Sequence, residues 1–223
     1  MNLDLSLKKP QLVEYVVRQL QAFFPDGNNV RPNLERVFDN ALERTRVCFS
    51  MMKLKAYCDN GTVKFNHLFG DQYCVFLYFL SREAFLQKEE DLYVRLSLLN
   101  KTLFGIDLFG HVEMPDHFLL VHPVGSVVGR AKMNDFLVIY QHVTIGGIHR
   151  ENIIEYPELG TGCVLFSNSS LLGSAKLGNF VSLGANSSVL SKNVPSNTTV
   201  LGQYPQNVIK PTSSPAITRF FNI

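Results

Sequence analysis

With 223 residues, 46% of them apolar, the chain has material for one large domain or two small ones around a sizeable core. A formal net charge of +2 without a basic stripe argues against a nucleic-acid surface, and no run, Cys74–Leu80 included, nears the roughly 18 apolar residues of a membrane span. The start, MNLDLSLKKPQ, lacks a secretory pattern, and the scattered Cys48, Cys58, Cys74 and Cys163 contain no CxxC pair, so reduced thiols in a cytoplasmic protein without a metal site are expected.

The chain opens with helical periodicity. In residues 10–24, Leu12, Val16, Leu20 and Phe23 recur at spacings of four and three, which predicts an amphipathic helix. A second helix is expected over 31–49, with Pro32 in its first turn and Leu34, Phe38, Ala41 and Leu42 on one face. Partial alternation around Asp59-Asn60-Gly61 suggests a hairpin. Helical patterns return over 71–87 and 91–105, the last ending near Gly105 as a C-cap. Phe76, Phe79 and Phe85 then serve helix packing or an oligomer contact.

From about Leu108 the pattern changes. Charges thin out, glycines and small polar residues multiply, and a period of six appears. One frame runs through Val121, Val127, Met133, Ile139 and Ile145, and a second through Leu159, Leu165, Leu171, Leu177, Leu183 and Val189. Helices repeat at about 3.6 residues and simple strands at 2, so a hexad marks a parallel β-helix whose coils stack about 4.8 Å apart. The two frames are out of phase across GGIHRENIIEYPE, which predicts a loop leaving the solenoid. The expected fold is α+β: a mainly helical domain over 1–105, a β-helix over 106–210 and a tail over 211–223.

A histidine among valines and glycines, as in VHPVGSVVG at 121–129, is usually a packed core residue. The surrounding sequence weighs against that here. From IDLFGHVEMPDHFLLVHPVGSVVGRAKMNDFLVIYQHVTIGG to the closing GANSSVLSKNVPSNTTVLGQYPQNVIKP, the chain resembles the hexapeptide-repeat acyltransferases, in their serine acetyltransferase-like branch. The helical half resembles that branch in layout only. The resemblance implies a left-handed β-helix, a homotrimer (with the helical halves able to join two trimers), and acetyl-CoA as donor in a groove between subunits.

It further implies His122 as general base and Asp107, fifteen residues earlier, as the carboxylate that orients it. The chemistry is coherent. An alcohol is a poor nucleophile at neutral pH, and a positioned imidazole removes its proton as it attacks a thioester. A carboxylate on the other ring nitrogen fixes the tautomer. Gly146 and Gly147 are candidate oxyanion donors. Gly147, Ser167 and Ala185 fall where the family holds CoA, and Lys192 and Lys210 either pair with its phosphates or are solvated surface. Asp107 has a second reading as a turn residue, and His149 in the loop is the alternative base. His142 is more simply a bystander of the groove than an acceptor contact, and His111 and His117 are solvated or capping residues.

Two departures bear on the acceptor. The family's serine-binding aspartate before the histidine is Val121 here, and its carboxylate-binding Arg-His pair is Glu155-Tyr156. Glutamate in place of arginine repels a carboxylate. A sugar hydroxyl of a surface polysaccharide is therefore the expected acceptor. Serine O-acetylation is the alternative, for which a terminal Ile223 is slight support, and a non-catalytic β-helix scaffold is a third reading.

Overall fold

The computed structural model describes residues 2–223, and these form two compact units, one running to His111 and the other from Val112 to Ile223. The first contains β1 (Leu3–Leu5), α1 (Lys9–Phe23), α2 (Arg31–Ser50), β2 (Cys58–Asp59), β3 (Thr62–Phe65), α3 (Gly70–Leu86) and α4 (Glu90–Phe104). All the helices expected from periodicity are present, within a residue or two at their ends. Leu12, Val16 and Leu20 of α1 are at most 1% exposed, but Phe23 is 45% exposed because it falls in the last, frayed turn.

The centre of this unit is α3, buried on every side from Gln72 to Ala84. Its apolar run serves a core in which Phe76 meets Phe38 and Phe65 edge-on or tilted. Phe79 is buried, whereas Phe85 is partly exposed between Arg82, Tyr93 and His111. Asn60 and Gly61 both have positive φ and close the β2–β3 hairpin. The β1 strand, which periodicity did not indicate, pairs in parallel with β3. Gly105 caps α4 in the left-handed region, as expected.

The second unit is a parallel β-helix. Face A stacks Phe118–Val121, Leu137–Tyr140, Val164–Leu165, Ser182–Leu183 and Thr198–Leu201. Face B stacks Val127–Val128, Thr144–Gly146, Ser170–Leu172 and Ser188–Leu190, and face C stacks Lys132–Met133, Glu158–Leu159, Lys176–Leu177 and Asn193–Val194. Each strand pairs in parallel with the strand one coil away, so equivalent side chains form columns. On face A the inward column is Leu120, Ile139, Leu165, Leu183 and Val200, all without measurable exposure. Burial of each such side chain contributes on the order of 2 kcal/mol.

One part of the expected frame is corrected. Val121 and Val127 are not inward residues: Leu120 pairs with Ile139 and Val128 with Ile145, while Val127 is 43% exposed. The reason is an enlarged turn. Between the inward residues of faces A and B, later coils place Tyr140–Thr144, Phe166–Ser170 and Gly184–Ser188, whereas the first coil places Val121–Val127, two residues more.

The out-of-phase segment does leave the solenoid, as an antiparallel hairpin of Ile148–Arg150 and Ile153–Glu155 at the corner between faces B and C. After the last coil, Val208–Pro211 returns antiparallel to Thr198–Leu201, and a 3-10 turn, Ala216–Arg219, follows. Ile217 and Phe221 in this tail are fully buried, as are Val138 and Val164 on the outer side of face A. Phe221 meets Phe136, and Ile217 lies beside Gly162, so the tail covers face A. Phe221→Ala is expected to lower unfolding free energy by about 3–5 kcal/mol. A denaturant midpoint within error of the wild type would refute this docking.

None of the four cysteines is in a disulfide. Burial pushes the Cys163 thiol up to about 12, so it stays protonated. No helix of the described residues is long and apolar enough to cross a membrane.

Candidate active site

The enlarged turn is where His122 sits. At the corner between faces A and B, later coils use one residue, Gln141, Ser167 or Ala185, followed by a left-handed residue, His142, Asn168 or Asn186. The first coil instead has His122-Pro123-Val124 and then Gly125, with φ of +71°. Histidine and asparagine tolerate this region better than most side chains, which explains His142 and the two asparagines. Asn168 Nδ2 donates to Asn186 Oδ1 at 2.7 Å, continuing the corner as a ladder.

The extra residues place His122 outside the hexad columns. It is exposed, with its own φ at +47°. Its carbonyl accepts from the Val124 amide at 2.7 Å, and the Val124 carbonyl accepts from the His142 amide at 2.9 Å. Ser126, fully buried, ties the turn to the next coil: its hydroxyl donates to the Tyr140 carbonyl at 3.0 Å and accepts from the Val143 amide at 3.2 Å. Residue 125 must be glycine for two reasons. The positive φ disfavours a side chain, and a Cβ there would come within 2.3 Å of His142 Nδ1. The imidazole of His142, itself exposed, thus lies against the turn that carries His122.

Ser167 and Ala185 lie above His122 on the same corner, in successive coils, and present small side chains along it. The other expected site residues are elsewhere in this unit. Gly146, Gly147, His149, Glu155 and Tyr156 belong to the corner between faces B and C, at the far edge of face B from His122. Gly147 lies under the hairpin, where a Cβ would meet Ile154 and Tyr156 at 2.8 Å. Lys192 follows Ser191 at that same corner one coil before the end, and exposed Lys210 is on the returning strand opposite Thr199. These two lysines are therefore on different sides of the solenoid.

Glu155 is not an isolated negative charge. Arg150 Nε approaches its Oε2 to 3.2 Å across the hairpin, which offsets the repulsion expected for a carboxylate. The approach is not aligned as a hydrogen bond, and Glu155 Oε2 is buried without a hydrogen-bond donor. Asp107 belongs to the first unit, where its carboxylate takes an ion pair from Lys101 of α4 at 2.6 Å. His117 is not simply solvated: its Nδ1 lies 2.8 Å from Asp135 Oδ2 and its ring stacks on Phe136. Among the described residues no three His, Cys, Asp or Glu side chains come together as a metal would require.

Two residues beside His122 escaped the sequence reading. Tyr140, aligned with Val121 on the adjacent strand, presents its ring outward, and burial holds its phenol above the ordinary range against the opposing pull of Arg219. The phenol therefore stays neutral well into alkaline conditions. Ser126 could have been found from its hexad place, shared by Ser169 and Ser187, which holds a buried small polar residue in three of four coils.

No protein-family model matches the chain. A serine acetyltransferase of Staphylococcus epidermidis is 34% identical over 116 residues, covering 52% of this chain and 54% of that protein. The chain thus spans about half the length of that relative. A serine acetyltransferase of Staphylococcus aureus is 26% identical over 170 residues, 76% of this chain and 79% of that protein. Among solved structures, a serine acetyltransferase in complex with CoA superposes with a TM-score of 0.65 at 19% identity, over 89% of this chain and 83% of that one. That likeness makes the solenoid of this chain a left-handed β-helix preceded by a helical unit.

Proposed function

We propose, for a chain similar to the serine acetyltransferase-like branch of the hexapeptide-repeat acyltransferases in sequence and fold, that it transfers acetyl groups from acetyl-CoA to a hydroxyl. The observation that carries this reading is the enlarged turn, which sets an exposed His122 outside the hexad columns, at the foot of the corner that Ser167 and Ala185 share. A scaffold has no use for an exposed imidazole on a rigid, strained turn.

In this reading His122 takes the proton of the acceptor hydroxyl while its oxygen bonds to the thioester carbon. The carbon–sulfur bond then breaks, and His122 returns the proton to the departing thiolate. No acyl-enzyme is involved. Sequence spacing and the family resemblance support Asp107 as the group that orients the imidazole. The small corner side chains Ser167 and Ala185 leave room for the pantetheine arm, and their backbone offers polar groups to it. His122 and the hairpin occupy different corners of one solenoid, so a second copy bringing its hairpin to His122 would complete the site. The family resemblance implies such an arrangement in a homotrimer.

The names of the relatives favour serine as acceptor over a saccharide. A saccharide hydroxyl is kept as a second reading because Val121 offers no charge to an amino group and Glu155 Oε2 is a buried acceptor without a donor. Thiol release from acetyl-CoA with serine, free sugars, nucleotide sugars and oligosaccharides decides between them. Turnover with serine alone rules out the saccharide, and turnover with no acceptor at all rules out acetyl transfer.

A further inference from the structure

Val121 begins an outward row on face A. In the next coil its partner is Tyr140, and one coil further Phe166 stands beside Tyr140 with ring centroids 5.3 Å apart. The C-terminal segment adds a third ring. Phe220 meets Tyr140 edge-on at 6.3 Å, held there by its buried neighbours Ile217 and Phe221. All three rings are half-buried, so each keeps a face or edge toward solvent. The row runs along the solenoid directly from His122, beside the corner given to the donor.

Row and corner divide the space above His122 by chemistry. Above Gln141 the corner offers the small side chains of Ser167 and Ala185 and their backbone, while the row offers aromatic surface, with the exposed Arg219 near Tyr140. Aromatic rings bind best what presents polarised C–H groups to their electron-rich faces. Free serine presents little such C–H surface. A pyranose ring has an apolar C–H face and hydroxyls around its rim. Next in the chain to Tyr140, Gln141 holds its amide oxygen without a hydrogen-bond partner, an acceptor available to such a rim hydroxyl once the side chain turns.

We propose that Tyr140, Phe166 and Phe220 form an aromatic wall that receives the C–H face of a pyranose acceptor and holds one of its hydroxyls at His122. The C-terminal segment is thereby part of the acceptor site. This rests on the acetyl-transfer reading and develops its saccharide branch.

The test uses the full chain in two assays. In saturation-transfer NMR, methyl pyranosides of glucose, galactose and N-acetylglucosamine are offered to the wild type, Tyr140→Ala, Phe220→Ala and Phe220→Tyr. Saturation is expected on ring C–H protons of at least one glycoside, falling about tenfold in both alanine variants and returning in Phe220→Tyr. In thiol release, Phe220→Ala is expected to raise the KM for that glycoside by about tenfold, the loss falling on acceptor KM rather than on kcat or on the KM for acetyl-CoA. No saturation transfer to the wild type, or transfer undiminished in both alanine variants, overturns the wall. An acceptor KM that Phe220→Ala leaves in place does the same. Glycoside binding that depends on the wall, without thiol release from any acceptor, supports the wall and removes the acetyl-transfer reading instead.

Discussion

His122→Ala is expected to lower kcat for acetyl transfer by about 10²–10⁴-fold, the range for loss of a positioned general base. The side chain is exposed and lies outside every buried column, so the variant should keep the wild-type thermal midpoint within about a degree. Loss of activity without loss of stability separates a catalytic imidazole from a packed one. His149→Ala is the matched control. It lies on the exposed hairpin opposite Ile154, which the proposed assembly brings to His122 of a second copy, and as a neighbour of the site rather than its base its replacement should lower kcat by less than about tenfold. If the two results are exchanged, the base is His149. Normal turnover by both variants removes the proposed chemistry altogether.

The second large effect is at Gly125, which touches no substrate. Gly125→Ala places a methyl group in a residue with φ of +71°, at a cost of about 1–2 kcal/mol. The same methyl group would overlap the His142 ring, its Cβ coming within 2.3 Å of Nδ1. Either the ring or the turn must move, and the turn carries His122. A total loss of about 2–4 kcal/mol in stability is expected, with kcat reduced by about 10²-fold through misplacement of the base. A double-mutant cycle with His142→Ala divides the two causes. Removing the ring should recover the steric share and leave the backbone share, while His142→Ala alone should be mild. Additive effects in that cycle would show that the ring and the turn are not coupled.

The helical unit and the hexad solenoid were legible because both rest on short-range periods. Leu12, Val16 and Leu20 declare one helical face, and the six-residue spacing from Leu159 to Val189 declares one inward column per face. The phase around His122 was not legible in the same way. Val121, Val124, Val127 and Val128 are all β-branched, so a frame through Val121 and Val127 keeps the six-residue period, which the true inward pair, Leu120 and Val128, exceeds by two. Only pairing with the next coil reveals the two inserted residues. Glu155 was readable as a charge but not as a partner of Arg150, because the hairpin that joins them forms outside the repeat.

The amino-acid order therefore specified the architecture, the candidate side chains of the site and the place where the repeat breaks. Each depends on spacing between near neighbours, which any coil of a solenoid repeats. The tertiary structure alone decided what surrounds His122: Gly125 packed on His142 and Ser126 tied to Tyr140. It also decided that Phe220, eighty residues beyond Tyr140 in the chain, meets the Tyr140 ring. Such contacts carry no local period. They exist because stacked coils and a returning tail bury apolar surface on face A, and that burial selects which distant residues meet.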